Sequence, residues 1–232
     1  YPFYFDEIQS TSDLGMGNVL SSLSVSDSTA MVYAVFTTPQ NSIPGSAVCA
    51  FRFSDIMQAF EGKFKEQQTP QSSWLPVEDK KTPSPHPAKS CVNDSHQISP
   101  KTLDFIKTHP LMDKAVPAFG GAPVLLRANL DSHRLTTIAV DWQVRTADGR
   151  FYDVLYLGTS NGHVLKAINV GGSGDAIQTV VIEDIEVFPA PTSVLQLRVY
   201  RDVGRGQEKL VVISGEEVRS IPLHRCHLHT TC

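Results

Sequence analysis

The chain has 232 residues, 41% of them apolar and 19% charged, a composition that excludes a disordered charged tail and a collagen-like repeat. At roughly 100 to 200 residues per domain it predicts one domain, or one with a fragment of another, able to bury a real core. Twenty Lys plus Arg against 24 Asp plus Glu give a net charge of −4, which leaves no basic excess to release counterions and disfavours DNA or RNA binding. The longest apolar run, Ala30 to Phe36, is about seven residues against the roughly 20 of a membrane helix. Tyr1-Pro2-Phe3-Tyr4-Phe5-Asp6 has neither the basic start nor the apolar run of a secretory signal, so the chain reads as an excerpt.

Short β-branched and aromatic runs separated by turn residues predict an all-β fold. In chain order the strands are expected at Phe3–Ile8, Ala30–Phe36, Ala47–Phe53, Val124–Ala128, Thr136–Trp142, Asp153–Leu157, Val164–Ile168, Thr179–Glu183, Ser193–Arg198, Lys209–Ile213 and Val218–Pro222. Val154 to Leu165 and Leu210 to Ile221 repeat one pattern: an apolar strand, a tight polar turn and an alternating strand. Met31 to Phe53 is a third copy with a longer turn. A strand that is apolar throughout is buried on both faces, which suits the radially packed blades of a β-propeller; a β-sandwich is the competing reading.

About 70 residues between the third copy and Val124 break this pattern and predict a surface insertion. Ser54 or Asp55 can cap a helix carrying Ile56, Phe60 and Phe64 on one face, with Gly62 weakening its last turns. Ser99-Pro100 opens a second helix through Leu103 and Ile106 that ends by His109-Pro110. Pro70, Pro76, Pro83, Pro85 and Pro87 predict an irregular excursion between them.

Pro2-Phe3-Tyr4-Phe5-Asp6-Glu7-Ile8-Gln9-Ser10, Val32 to Thr38, Gly45-Ser46-Ala47-Val48-Cys49, Lys107-Thr108-His109-Pro110-Leu111-Met112, Val154 to Gly162 and Ile221-Pro222-Leu223-His224-Arg225-Cys226 together resemble the semaphorins, in that family's order and across most of the chain. The Phe3–Ser10 form looks most like invertebrate semaphorins, transmembrane or secreted. The resemblance implies about the last three blades of a seven-bladed sema propeller over residues 1–224, with an extrusion at about 55–118. It also implies the start of a cysteine-rich plexin-semaphorin-integrin module at 225–232. By the same resemblance Cys49 and Cys91 pair with cysteines upstream, and Cys226 and Cys232 are the first two cysteines of that module, so none of the four pairs with another here. The residues alone would pair Cys49 with Cys91, which requires Cα atoms within about 7 Å.

The remaining constellations are weak. His224, His227 and His229 beside Cys226 and Cys232 lack the spacing of a structural zinc site. Gly171-Gly172-Ser173-Gly174-Asp175 has no following Lys-Ser/Thr, which leaves a connecting loop. No nucleophile stands in a G-x-S-x-G or H-E-x-x-H pattern, and His133, His163, Asp141 and Trp142 read as strand-end or core residues. The mixed cluster Glu78-Asp79-Lys80-Lys81 reads as a solvated loop. Asn93-Asp94-Ser95 is the one N-glycosylation sequon and, with the cysteines, points to an extracellular chain.

A propeller without a catalytic constellation acts through its surface. The expected protein is not an enzyme and needs no cofactor, metal or small-molecule substrate. The resemblance implies an extracellular guidance ligand, secreted or the ectodomain of a single-pass membrane protein. Such a ligand dimerises through its sema domain and binds plexin receptors to direct axons and migrating cells, commonly by repulsion. Within the insertion the candidate interface residues are Phe60, Phe64, Trp74, Leu111 and Met112. A plexin-like receptor ectodomain is the alternative, and a propeller hydrolase a remote third.

Overall fold

The computed structural model describes residues 3–16, 30–88, 92–128, 133–146, 149–170, 179–202 and 206–225. They fall into two compact units, one comprising residues 1–52 and 118–232 and the other residues 53–117. The larger unit is built from three antiparallel sheets. The first contains β1 (Glu7–Thr11), β2 (Gly15–Met16), β3 (Ala30–Thr37), β4 (Ser46–Arg52) and a later strand from the far side of the insertion. The insertion carries α1 (Phe53–Phe60), β5 (Phe64–Glu66), β6 (Leu75–Pro76), α2 (Pro100–Thr108) and β7 (Leu111–Met112). The chain then returns to the first sheet as β8 (Leu125–Arg127), giving the order β1-β3-β4-β8 with β2 also on β3.

The second sheet is a four-stranded meander of β9 (Leu135–Arg145), β10 (Phe151–Thr159), β11 (His163–Asn169) and β12 (Thr179–Glu186). The third is β13 (Gln196–Asp202), β14 (Gln207–Ile213) and β15 (Val218–Pro222). β9 packs between β1 and β13 without pairing to either, so the first strands of the three sheets lie side by side and later strands step outward. This is radial blade packing, not the face-to-face stacking of two sheets in a sandwich, and the unit is a partial β-propeller. The predicted β-hairpins are β3–β4, β10–β11 and β14–β15.

The period of two explains why the middle blade is apolar throughout. Leu155 and Leu157 of β10 join Met31, Tyr33, Val35, Val48 and Ile138 in a core toward the first sheet. Their alternates Val154 and Tyr156 join Val194, Leu197, Leu210 and Val212 in a core toward the third. Gly158 sits where these surfaces come closest: a Cβ there would lie 2.6 Å from both Thr137 Cγ2 and Val194 Cγ1.

Polar bonds tie the blades together near the first strands. Ser46 Oγ accepts from Leu135 N at 2.9 Å, and the Arg134 guanidinium donates to the Thr38 and Pro39 carbonyls. Between the second and third blades, Arg201 Nη2 lies 2.7 Å from Asp141 Oδ2, and Arg201 also faces Glu208. Burial pushes the Asp141 carboxyl upward despite the opposing guanidinium. Arg201 is part-exposed and keeps Glu208 as a partner, so Asp141→Asn leaves no fully buried unpaired charge and is expected to cost only about 1 kcal/mol. A denaturation midpoint displaced by the equivalent of about 3 kcal/mol or more would show that this bridge is a dominant brace.

Lys166 donates to the Leu223 carbonyl at 2.8 Å, and His224 lies 3.1 Å from Glu208 Oε2, which fixes the chain as it leaves β15. The module expected at 225–232 lies, apart from Arg225, outside the described residues.

Candidate functional site

The insertion is more ordered than its prolines suggest. β6, β5 and β7 form their own three-stranded sheet, with Phe64 opposite Met112 and Lys65 opposite Leu111. Directly opposed residues share a face, so Phe64 and Met112 point to one side and Lys65 and Leu111 to the other. Phe64, Val77 and Phe105 form the core, with the Phe64 and Phe105 rings edge to face at 5.2 Å. His86 stacks on Phe64, and its Nε2 lies 3.0 Å from the Gly62 carbonyl oxygen. His109 stacks on Phe105 at 4.1 Å.

α1 starts at Phe53, which places Ser54 and Asp55 in its first turn and not at its cap, whereas α2 starts where expected. Ser99 Oγ caps α2 by accepting from Thr102 N, Pro100 takes the first turn, and the helix ends before His109. α1 stops at Phe60, before Gly62, and Phe64 is therefore not on that helix face. Phe64 is 5% exposed, which removes it from the candidate interface: it holds the insertion together. Met112 is partly buried against the same core.

The other three candidates reach solvent: Phe60 is 48% exposed, Leu111 46% and Trp74 38%. Phe53, Ile56, Met57 and Phe60 recur at helical spacing on α1, and Phe53, Met57 and Phe60 are exposed. Leu75, Leu103 and Ile106 add further exposed apolar surface. Leu103 and Ile106 are legible in the sequence only as helix positions, and Phe53 and Met57 not at all as surface, because an amphipathic stripe is ordinarily read as core; Leu75 lies on a strand too short to show a pattern. Only the packing of Phe64, Val77 and Phe105 without them shows otherwise.

The charges here are solvated pairs. Lys81 Nζ lies 2.8 Å from Glu66 Oε1, Lys63 3.1 Å from Asp79, and Lys80 2.7 Å from Glu78. The hydrogen bond to Glu66 raises the Lys81 pKa, but exposed pairs of this kind contribute little.

Elsewhere, His163 Nδ1 lies 2.7 Å from Asp184 Oδ1 at the start of β11, and the Trp142 ring lies 5.5 Å from that of Tyr33. His133 is exposed. Among the described residues no three His, Cys, Asp or Glu side chains converge as metal ligands, and no helix is long and apolar enough to cross a membrane. Cys49 is half-buried on β4, opposite Ala34, and is the one cysteine among the described residues. Cys91, Cys226 and Cys232, with His227, His229 and the Gly171–Asp175 loop, lie outside the described residues.

Radial blades interrupted by a folded insertion define a β-propeller protein, and comparison narrows the class. The Sema domain family matches residues 8–201, and the chain belongs to that family. Semaphorins are among the relatives it matches. Semaphorin-1A of Schistocerca americana is 50% identical over 228 residues, covering 97% of this chain and 30% of the relative. Drosophila Semaphorin 1b, extracellular domains 1–2, superposes with a TM-score of 0.81 at 43% identity, covering 100% of this chain and 43% of that one. A structure of Drosophila Plexin A in complex with Semaphorin 1b gives the same TM-score and identity, covering 44% of the matched chain. The chain thus spans less than half the length of these relatives.

Proposed function

We propose that this chain is the propeller portion of an extracellular semaphorin ligand. The ligand dimerises through its sema domain and binds plexin receptors, directing axon guidance and cell migration, commonly by repulsion. It acts from the cell surface or after secretion, and works by recognition, with no catalysis and no cofactor. The likeness at 43% identity to a semaphorin solved with Plexin A carries the reading. The relatives compared above, at 43 to 50% identity, bear semaphorin names, which favours a ligand over a plexin-like receptor. The cysteines Cys49, Cys91, Cys226 and Cys232 find their partners outside this chain in the full protein.

The proposed interface within the insertion comprises Phe60, Trp74 and Leu111. Apolar anchors desolvated at an interface carry most of its energy. The full ectodomain is expected to bind a Plexin A-type ectodomain in surface plasmon resonance, and to self-associate in light scattering. Phe60→Glu and Leu111→Glu are each expected to weaken one of these interactions at least about tenfold, equivalent to about 1.4 kcal/mol, without lowering the melting temperature. A folded ectodomain that ignores plexin sinks the receptor assignment; unchanged affinities in both variants sink the interface.

A further inference from the structure

Asn93-Asp94-Ser95 is the sole N-x-[ST] triplet in the sequence. It lies in the insertion, ahead of a short 3-10 turn at Ser95–Gln97, and residues 92–97 are all exposed. An acidic side chain beside the acceptor amide would compete for its N–H groups, but the Asp94 carboxylate is engaged elsewhere. Its Oδ1 accepts from His96 N at 3.0 Å and lies 2.8 Å from His96 Nδ1, and these bonds hold its pKa low. The Ser95 hydroxyl is not used as a cap, since Asp94 caps the 3-10 turn and Ser99 caps α2. Among the described residues none bonds the Asn93 or Ser95 side chains. The fold therefore makes no demand on the two residue types that define the triplet.

We propose that Asn93 carries an N-linked oligosaccharide, an inference that rests on the extracellular reading above. The donor is a lipid-linked oligosaccharide pyrophosphate. The Asn93 side-chain nitrogen attacks C1 of its first N-acetylglucosamine, the C1–N bond forms as the C1–O bond breaks, and the pyrophosphate leaves with the bonding electrons. One amide proton is released, and nothing is oxidised or reduced. The exposure of residues 92–97 gives the glycan room in the folded state.

The test is to express the full-length protein in insect cells and treat it with peptide-N-glycosidase in heavy-oxygen water, followed by mass spectrometry of the Asn93 peptide. Asn93 is expected to be converted to Asp bearing one heavy oxygen. Conversion should be lost in Ser95→Ala and kept in Ser95→Thr. Protein that reaches the cell surface or medium with Asn93 bare overturns this inference alone. Protein retained in the cytosol with Asn93 bare overturns it together with the extracellular reading.

Discussion

Replacing Gly162 with Ala is expected to cost the full-length ectodomain at least about 4 kcal/mol and to remove most of it from the secreted fraction. Gly162 closes the β10–β11 turn at φ 88°, where an L side chain is strained. The larger penalty is steric, because a Cβ there would stand 2.1 Å from the Phe188 carbonyl oxygen and 2.8 Å from its carbon. Backbone cannot swing aside as a flexible side chain can. Val187 N and Phe188 N both donate to the Gly162 carbonyl, at 2.9 and 3.0 Å, so retreat of that segment breaks two bonds and pulls Phe188 from the core between the second and third blades. Gly149 supplies the control: its φ is 83°, yet a Cβ added there would meet nothing within 4 Å. Gly149→Ala should cost only the local strain, about 1 kcal/mol. Equal denaturation midpoints for the two variants would remove the steric argument.

This turn also shows what a sequence can disclose. Val154 to Leu157 is continuously apolar because alternate residues enter two different cores, and that pattern is plain in the order of the residues themselves. β15 occupies its expected span, Val218–Pro222, because the polar turn at Ser214–Glu217 marks its start and it pairs back on β14. β1 begins at Glu7, later than the aromatic run at Phe3 suggests. The insertion is legible only at its helices. β5, β6 and β7 have two or three residues each, too few to express a period, so their sheet leaves no pattern to read. Phe64 continues the four-residue spacing of Ile56 and Phe60, but the helix ends first and tertiary packing assigns it to the core.

Buried polar pairing is the least legible feature. Asp141 meets Arg201 across 60 residues, and Tyr33 meets Asp153 across 120. Neither partner marks the other locally, so such pairs emerge only once blades are placed side by side. The same placement explains why tests belong on the full ectodomain: sheets at the ends of a partial ring leave faces uncovered that neighbouring blades would bury.

Stability is expected to hold to about pH 9 and then fall steeply above about pH 10, approaching about 2.7 kcal/mol per pH unit when two phenols drive it. The Tyr33 pKa is raised well above its ordinary value of 10.0 by burial, then by the charge of Asp153 and the hydrogen bond to it. Tyr156 is raised as well, by burial first and the Asp141 charge second. Each phenol keeps its proton in the folded state after the unfolded chain has lost it. The unfolded chain then binds fewer protons, so stability is complete below about pH 10 and declines as pH rises toward the folded values. Lys166 acts in the opposite sense below about pH 10.5, since burial lowers its pKa from 10.5 and the folded state deprotonates first. Cys49, raised from 9.0 by burial, adds to the fall only where its thiol is unpaired. Tyr33→Phe separates two effects in one variant. Near neutral pH it should cost about 1 to 3 kcal/mol, because Asp153 loses a donor while retaining the Gln143 backbone and side-chain N–H groups. Above about pH 10 it should halve the slope. Urea midpoints measured from about pH 7 to 11 give both readings, and a slope unchanged by Tyr33→Phe would mean that this phenol is not the group whose proton is held by the folded blades.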